Sequence, residues 1–195
     1  MPADPIYLDY NATTPTDRRV AAAMTPFLTG FFGNPSSPHA FGRQAREAVE
    51  HARSRVAVLL GAQPDGIVFT SGGTEANNHA ITGAVRLADR AHPHIVTTAV
   101  EHPAVLEVCR SLASAEVRTT LVGVDAHGRV DPADVAAACT DDTVLISVMH
   151  ANNEVGTLQP VAEIAAAARR RGILVHSDAA QSVGKVPVTL DDLGV

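Results

Sequence analysis

The chain has 195 residues, 46% of them hydrophobic and 18% charged, with a formal net charge of −6. That length supports one domain with a real core. The acidic balance, with no basic stripe, argues against nucleic acid as a partner, and no apolar stretch approaches membrane-spanning length. Two cysteines, Cys109 and Cys139, stand in no metal-like spacing, so neither a metal nor a disulfide framework is expected. The N-terminus has no basic segment leading into an apolar run, and the expected compartment is the reducing cytoplasm.

Residues 1–15 read as an N-terminal segment, turn-rich at Asn11-Ala12-Thr13-Thr14-Pro15, and residues 16–195 as one larger domain. A first helix is expected over 17–31, then a loop at Gly33-Asn34-Pro35-Ser36-Ser37-Pro38-His39. A second helix covers 42–60, with Ala45, Val49, Ala52, Val56 and Leu59 at helical spacing and Gly61 as its stop. Four apolar runs then each end in a polar cluster. Residues 67–70 lead into Ser71-Gly72-Gly73-Thr74, and 95–100 into Glu101-His102-Pro103. Residues 144–149 lead into His150-Ala151-Asn152-Asn153-Glu154, and 173–176 into Ser177-Asp178-Ala179-Ala180-Gln181. Helices are expected from Thr74 to about 89, after Pro103, from Asp131-Pro132, and over 161–171, where Arg169-Arg170-Arg171 offsets the helix dipole. Strands alternating with helices predict an α/β fold, a three-layer sandwich with a mostly parallel sheet. The end at Val195, soon after Asp191-Asp192-Leu193-Gly194, reads as a cut inside a larger domain.

In an open parallel sheet, ligands sit beyond the carboxyl ends of the strands. Gly72 and Gly73 let a backbone approach a bulky anion, and the unpaired N–H groups of the following helix favour a phosphate. The same residues also suit an ordinary turn with Thr74 as cap. No Gly-Lys-Ser/Thr and no Gly-x-Gly-x-x-Gly follows, which removes a P-loop and demotes a dinucleotide enzyme. His102 can stack on an aromatic ring or carry a proton near neutral pH, or simply sit in a polar loop. The amides of Asn152 and Asn153 can hold a ring hydroxyl, or make a turn. Asp178 follows four apolar residues, where a carboxylate is costly unless paired. A protonated pyridine nitrogen would pair it, with Gln181 at the adjacent ring oxygen; helix capping is its other use. A phosphate, a flat ring under an imidazole and a cationic nitrogen together describe pyridoxal 5'-phosphate.

At these residues the sequence resembles the cysteine desulfurases of the NifS/IscS type, within the fold-type I pyridoxal-phosphate enzymes. The motifs stand in order: Tyr7-Leu8-Asp9-Tyr10-Asn11-Ala12-Thr13-Thr14-Pro15, Asn34-Pro35-Ser36-Ser37, Thr70-Ser71-Gly72-Gly73-Thr74-Glu75-Ala76-Asn77, Glu101-His102, Asn152-Asn153-Glu154-Val155-Gly156 and Asp178-Ala179-Ala180-Gln181-Ser182-Val183-Gly184-Lys185. The resemblance covers essentially the whole chain and implies an incomplete large domain of a pyridoxal-phosphate-dependent transferase. It implies that Gly73 and Thr74 bind the cofactor phosphate, and that His102 stacks on the ring and assists proton transfer. Asn153 and Gln181 would contact the ring-oxygen side, and Asp178 the ring nitrogen. The implied reaction moves sulfur from L-cysteine to an enzyme cysteine as a persulfide, releasing L-alanine, for iron–sulfur cluster or thio-cofactor assembly. A homodimer and a sulfur-acceptor or scaffold protein are implied as partners.

The family's Schiff-base lysine, in a Ser-x-His-Lys motif, and its persulfide cysteine are absent from this sequence. The single lysine, Lys185, lies outside that motif and reads as a solvated loop residue; Cys109 and Cys139 read as small core residues. A related class-V aminotransferase or selenocysteine lyase, and an inactive fragment lacking the Schiff-base lysine, stay open beside the desulfurase.

Overall fold

The computed structural model describes residues 5–195. The chain forms two compact units, Met1–Ile67 and Val68–Val195.

The first unit holds helices α1 (Arg18–Thr29) and α2 (Ala40–Leu60). Asp17 caps α1 by accepting from the Arg19 amide. His39 caps α2 through the Gly42 amide, and Gly61 ends α2 at φ 67°, a left-handed turn that costs glycine nothing. At Gly42 a Cβ would fall 2.2 Å from the Ser37 carbonyl oxygen, so only glycine lets loop and helix approach this closely.

The second unit is an α/β sandwich. Its strands are β1 (His94–Thr98), β2 (Arg118–Val122), β3 (Thr143–Ser147) and β4 (Leu174–His176), in the order β2-β1-β3-β4 and all parallel. β1 and β3 are central and buried at every residue, which explains their unbroken apolar runs. On one face, α3 (Gly73–Leu87) and α4 (Pro103–Leu112) pack Ile81, Val85, Val105 and Val108 against Ile95 and Leu145. On the other, α5 (Pro132–Ala138), α6 (Val161–Arg169) and the short α7 (Leu190–Leu193) pack Val135, Ile164 and Leu193 against Val96 and Ile146. Adjacent residues of one strand therefore feed opposite core layers, as the period of two demands.

Two segments differ from expectation, and the short α7 was not expected. Residues 67–70 form no strand; Val68 and Phe69 are 63% and 50% exposed. β-propensity measures fit between neighbours on a covered sheet, and this segment is not covered. β2 was not expected. It is an edge strand whose residues are exposed or half-buried except Val122, so it lacks a continuous apolar run.

Because all four strands are parallel, their carboxyl ends share one edge. Thr97, Ser147 and His176 stand in register across β1, β3 and β4 just inside it.

Candidate active site at the strand ends

Hydrogen bonds between distant segments tie this edge together. Asp178, two residues beyond β4, accepts from Asn77 Nδ2 at 2.8 Å through Oδ2 and from the Ala180 amide at 3.1 Å through Oδ1. Its carbonyl accepts from the His150 amide at 2.9 Å. Beyond β3, the Met149 amide donates to both oxygens of Glu101, at 2.9 and 3.1 Å. Glu101 also accepts from Thr98 Oγ1 at 2.7 Å, and His102 follows it. Asn152 Nδ2 donates to the Val100 carbonyl at 3.1 Å. An unbroken set of contacts thus runs from α3 through the ends of β4 and β3 to the end of β1.

The predicted residues lie near these bonded groups in sequence. Gly73 and Thr74 open α3, exposed, one turn before Asn77. No side chain caps α3, and a Cβ placed on Gly72 or Gly73 would meet nothing within 4 Å. Glu75 turns back to accept from the Ser71 amide at 2.7 Å and hydroxyl at 2.6 Å, which holds its carboxyl below the usual range. His102 is exposed and caps α4, its Nδ1 accepting from the Ala104 amide at 3.1 Å. With Nδ1 used as acceptor, the neutral ring carries its proton on Nε2. Asn153 is half-buried and donates to Glu154 Oε1 at 2.9 Å. Gln181 lies one turn after Asp178, and its Oε1 accepts from Lys185 Nζ.

The model for class-V aminotransferases matches residues 6–195. The chain belongs to the class-V aminotransferase family. It is 50% identical over 190 residues to cysteine desulfurase IscS of Dictyoglomus turgidum, covering 97% of this chain and 48% of that protein. It is 51% identical over 194 residues to cysteine desulfurase IscS of Cronobacter sakazakii, covering 98% and 48%. The chain therefore spans about half the length of these curated relatives. Among solved structures it resembles SspA in complex with cysteine, at TM-score 0.93 and 38% identity, covering 97% of this chain and 55% of that one. A NifS-like protein matches at TM-score 0.93 and 39% identity, covering 97% and 53%.

Three residues of this class-V aminotransferase edge hold it together in ways not expected from the sequence. Asn77 sits in a quoted motif but was given no role. Its signal was present: it stands in the i, i+4, i+8 row with Ile81 and Val85, the buried stripe of α3, where a lone amide needs a partner. Asn152, not Asn153, is the buried organiser of its loop, accepting from the Glu154 and Val155 amides. Glu101 is 5% exposed; burial pushes its carboxyl up to about 7, against the pull of the Met149 and Thr98 hydrogen bonds. Nothing in the sequence separates it from a surface glutamate, because its partners are a main-chain amide 48 residues away and a threonine.

Among the other titratable groups, burial lowers the pKa of His150 and His176, and His176 Nδ1 sits 2.8 Å from Ser147 Oγ. Burial pushes both thiols up, Cys109 on α4 and Cys139 after α5, so neither is activated as a thiolate. Among the described residues no helix is long and apolar enough to cross a membrane.

Proposed function

We propose that this chain is the cofactor-holding part of a pyridoxal 5'-phosphate enzyme. That enzyme takes sulfur from L-cysteine onto an enzyme cysteine and releases L-alanine, supplying iron–sulfur cluster or thio-cofactor assembly. The observation that carries the reading is the 2.8 Å bond from Asn77 to Asp178. It ties an acid beyond β4 to the glycine-rich start of α3, 101 residues away in sequence.

The residues present fit the cofactor. The uncapped start of α3, with open space at Gly72 and Gly73, suits a phosphate dianion, which the helix dipole favours. Asp178 has both oxygens hydrogen-bonded, which fixes the orientation of the carboxyl that would meet a cationic partner. When bound, the cofactor supplies an electron sink whose strength depends on the positive charge of its ring nitrogen.

The chain's own residues do the rest. Gly73 and Thr74 bind the phosphate. Asn77 and the Ala180 amide fix the carboxylate that pairs with the ring nitrogen. His102 would cover the ring face and, with Nδ1 taken by the Ala104 amide, donate a hydrogen bond from Nε2. Asn153 and Gln181 take the ring-oxygen side, with Lys185 fixing the Gln181 carbonyl. The wider organisation belongs to the same proposal: residues 16–195 form part of a cofactor-binding large domain. The complete protein is a cytoplasmic homodimer that hands sulfur to an acceptor or scaffold protein. The names of the IscS relatives and the cysteine-bound SspA support the substrate.

The test is Asp178→Ala in the complete protein, given L-cysteine and assayed for L-alanine and protein-bound persulfide. Turnover should fall by at least about 10³-fold while most of the cofactor stays bound, since the phosphate contacts remain. Turnover within tenfold of wild type would leave Asp178 a cap and nothing more.

A further inference from the structure

One buried carboxyl joins the end of β1 to the segment beyond β3. Glu101 is 5% exposed, and among the described residues no cation lies within ion-pair distance of it. Its oxygens accept from Thr98 Oγ1 just behind it and from the Met149 amide beyond β3. A neutral amide could accept both donors through one oxygen. A carboxyl in the same place bears a desolvation cost that the amide avoids. The residue it immediately precedes is His102, which is anchored on its other side by the Ala104 amide.

We infer that Glu101 is a positioning residue: its carboxyl clips the end of β1 to the end of β3 and so fixes the backbone that presents His102 to the site. The inference deepens the reading of His102 as the residue on the cofactor face and rests on it. It also states how the placement is controlled. Ionised, Glu101 offers acceptors on both oxygens, and the Met149 amide uses both. Protonated, one oxygen becomes a donor, the amide keeps a single acceptor, and the clip slackens.

The titratable groups that interact with Glu101 are Asp178 beyond β4 and Cys109 on α4. β3 meets it with the Met149 amide, which carries no charge. Burial pushes the carboxyl up to about 7 and Asp178 adds to the push, so the clip changes state near neutral pH. Below that value His102 is presented loosely; above it, firmly.

The experiment uses the complete protein with Glu101→Gln and Glu101→Ala. The alanine variant should keep its cofactor and its KM for L-cysteine within about twofold and lose roughly 10²-fold in kcat, the cost of a misplaced catalytic group. The glutamine variant, which like protonated Glu101 keeps one acceptor oxygen, should fall between the alanine variant and wild type in kcat and lose the limb of the pH–kcat profile near 7. In cofactor-free protein, the Met149 amide proton of the wild type should shift with a midpoint near pH 7. The Ala104 amide, which reports His102, should follow the same step, and Glu101→Gln should abolish the Met149 step. A flat Met149 signal between pH 5 and 9, an Ala104 signal that ignores the step, or an alanine variant with wild-type kcat would each overturn the inference. If wild-type protein makes no L-alanine, the desulfurase reading fails, while the amide titrations still decide the role of Glu101.

Discussion

Asn77 and Glu101 do at the strand ends what Ile81 and Val105 do in the core: they hold elements together, by hydrogen bonds where packing would leave no room for a ligand. Each is buried and each bonds a segment far away in sequence. Substitution therefore strands a polar partner, at a cost of about 1–3 kcal/mol for an unsatisfied buried group. Lys185 is the opposite case. It is exposed, sits in the turn region after β4, and spends its ammonium on Gln181. A lysine that anchors a cofactor covalently must bring a free amine to it, and Lys185 instead holds its Nζ on Gln181. Lys185→Ala in the complete protein is thus expected to leave the near-visible absorption band of the bound cofactor unchanged in position and height. Loss of that band in the variant would make Lys185 the anchor and remove the argument that this role belongs elsewhere.

At the scale of elements, α4 carries two duties on one residue. His102 caps the helix with Nδ1 and is proposed to donate a hydrogen bond from Nε2, and the two can be separated. His102→Ala removes both and should cost about 1 kcal/mol of stability, the usual worth of a cap. His102→Asn keeps a capping oxygen and should restore the melting temperature to within about 2 °C of wild type. Both variants should lose about 10²- to 10³-fold in turnover, as expected for a missing hydrogen-bond donor to the transition state. A His102→Asn enzyme with near-normal turnover would reduce the histidine to its capping role. Sequence reading located α4 because Pro103 marks a first turn, and located β1 and β3 because burial on both faces writes an apolar run. It missed β2, whose Arg118-Thr119-Thr120-Leu121 faces are half in solvent, and it promoted 67–70 to a strand on composition alone. The site was legible as four polar clusters. What drew them together was not, because two of the long-range bonds use main-chain groups that every residue carries, the Met149 and His150 amides.

For the molecule as a whole, the buried titratable groups of the second unit act in opposite directions on stability. Glu101 is raised from 4.5 to about 7, so between those values the folded state holds a proton that the unfolded chain has released. Its contribution is fully present on the acid side of that window and is lost as pH rises through it. His94, locked between Thr143 and Thr120, and His150 and His176 at the strand ends are all lowered by burial. They stay neutral in the fold while the unfolded chain takes up protons below about 6.5. Their contribution is present above that pH and lost as pH falls. The exposed carboxylates Asp17, Glu75 and Asp125 are lowered instead, so their effect lies below about pH 4 and is screened by solvent. Acidification from pH 7.5 to 5 therefore sets three imidazoles against one carboxyl, and the wild-type protein should lose stability with the loss blunted by Glu101. Glu101→Gln removes the blunting term and leaves the imidazoles, so its urea midpoint should fall more steeply than that of the wild type over the same range. Parallel falls in the two proteins would mean that Glu101 titrates alike folded and unfolded, against the burial that surrounds it.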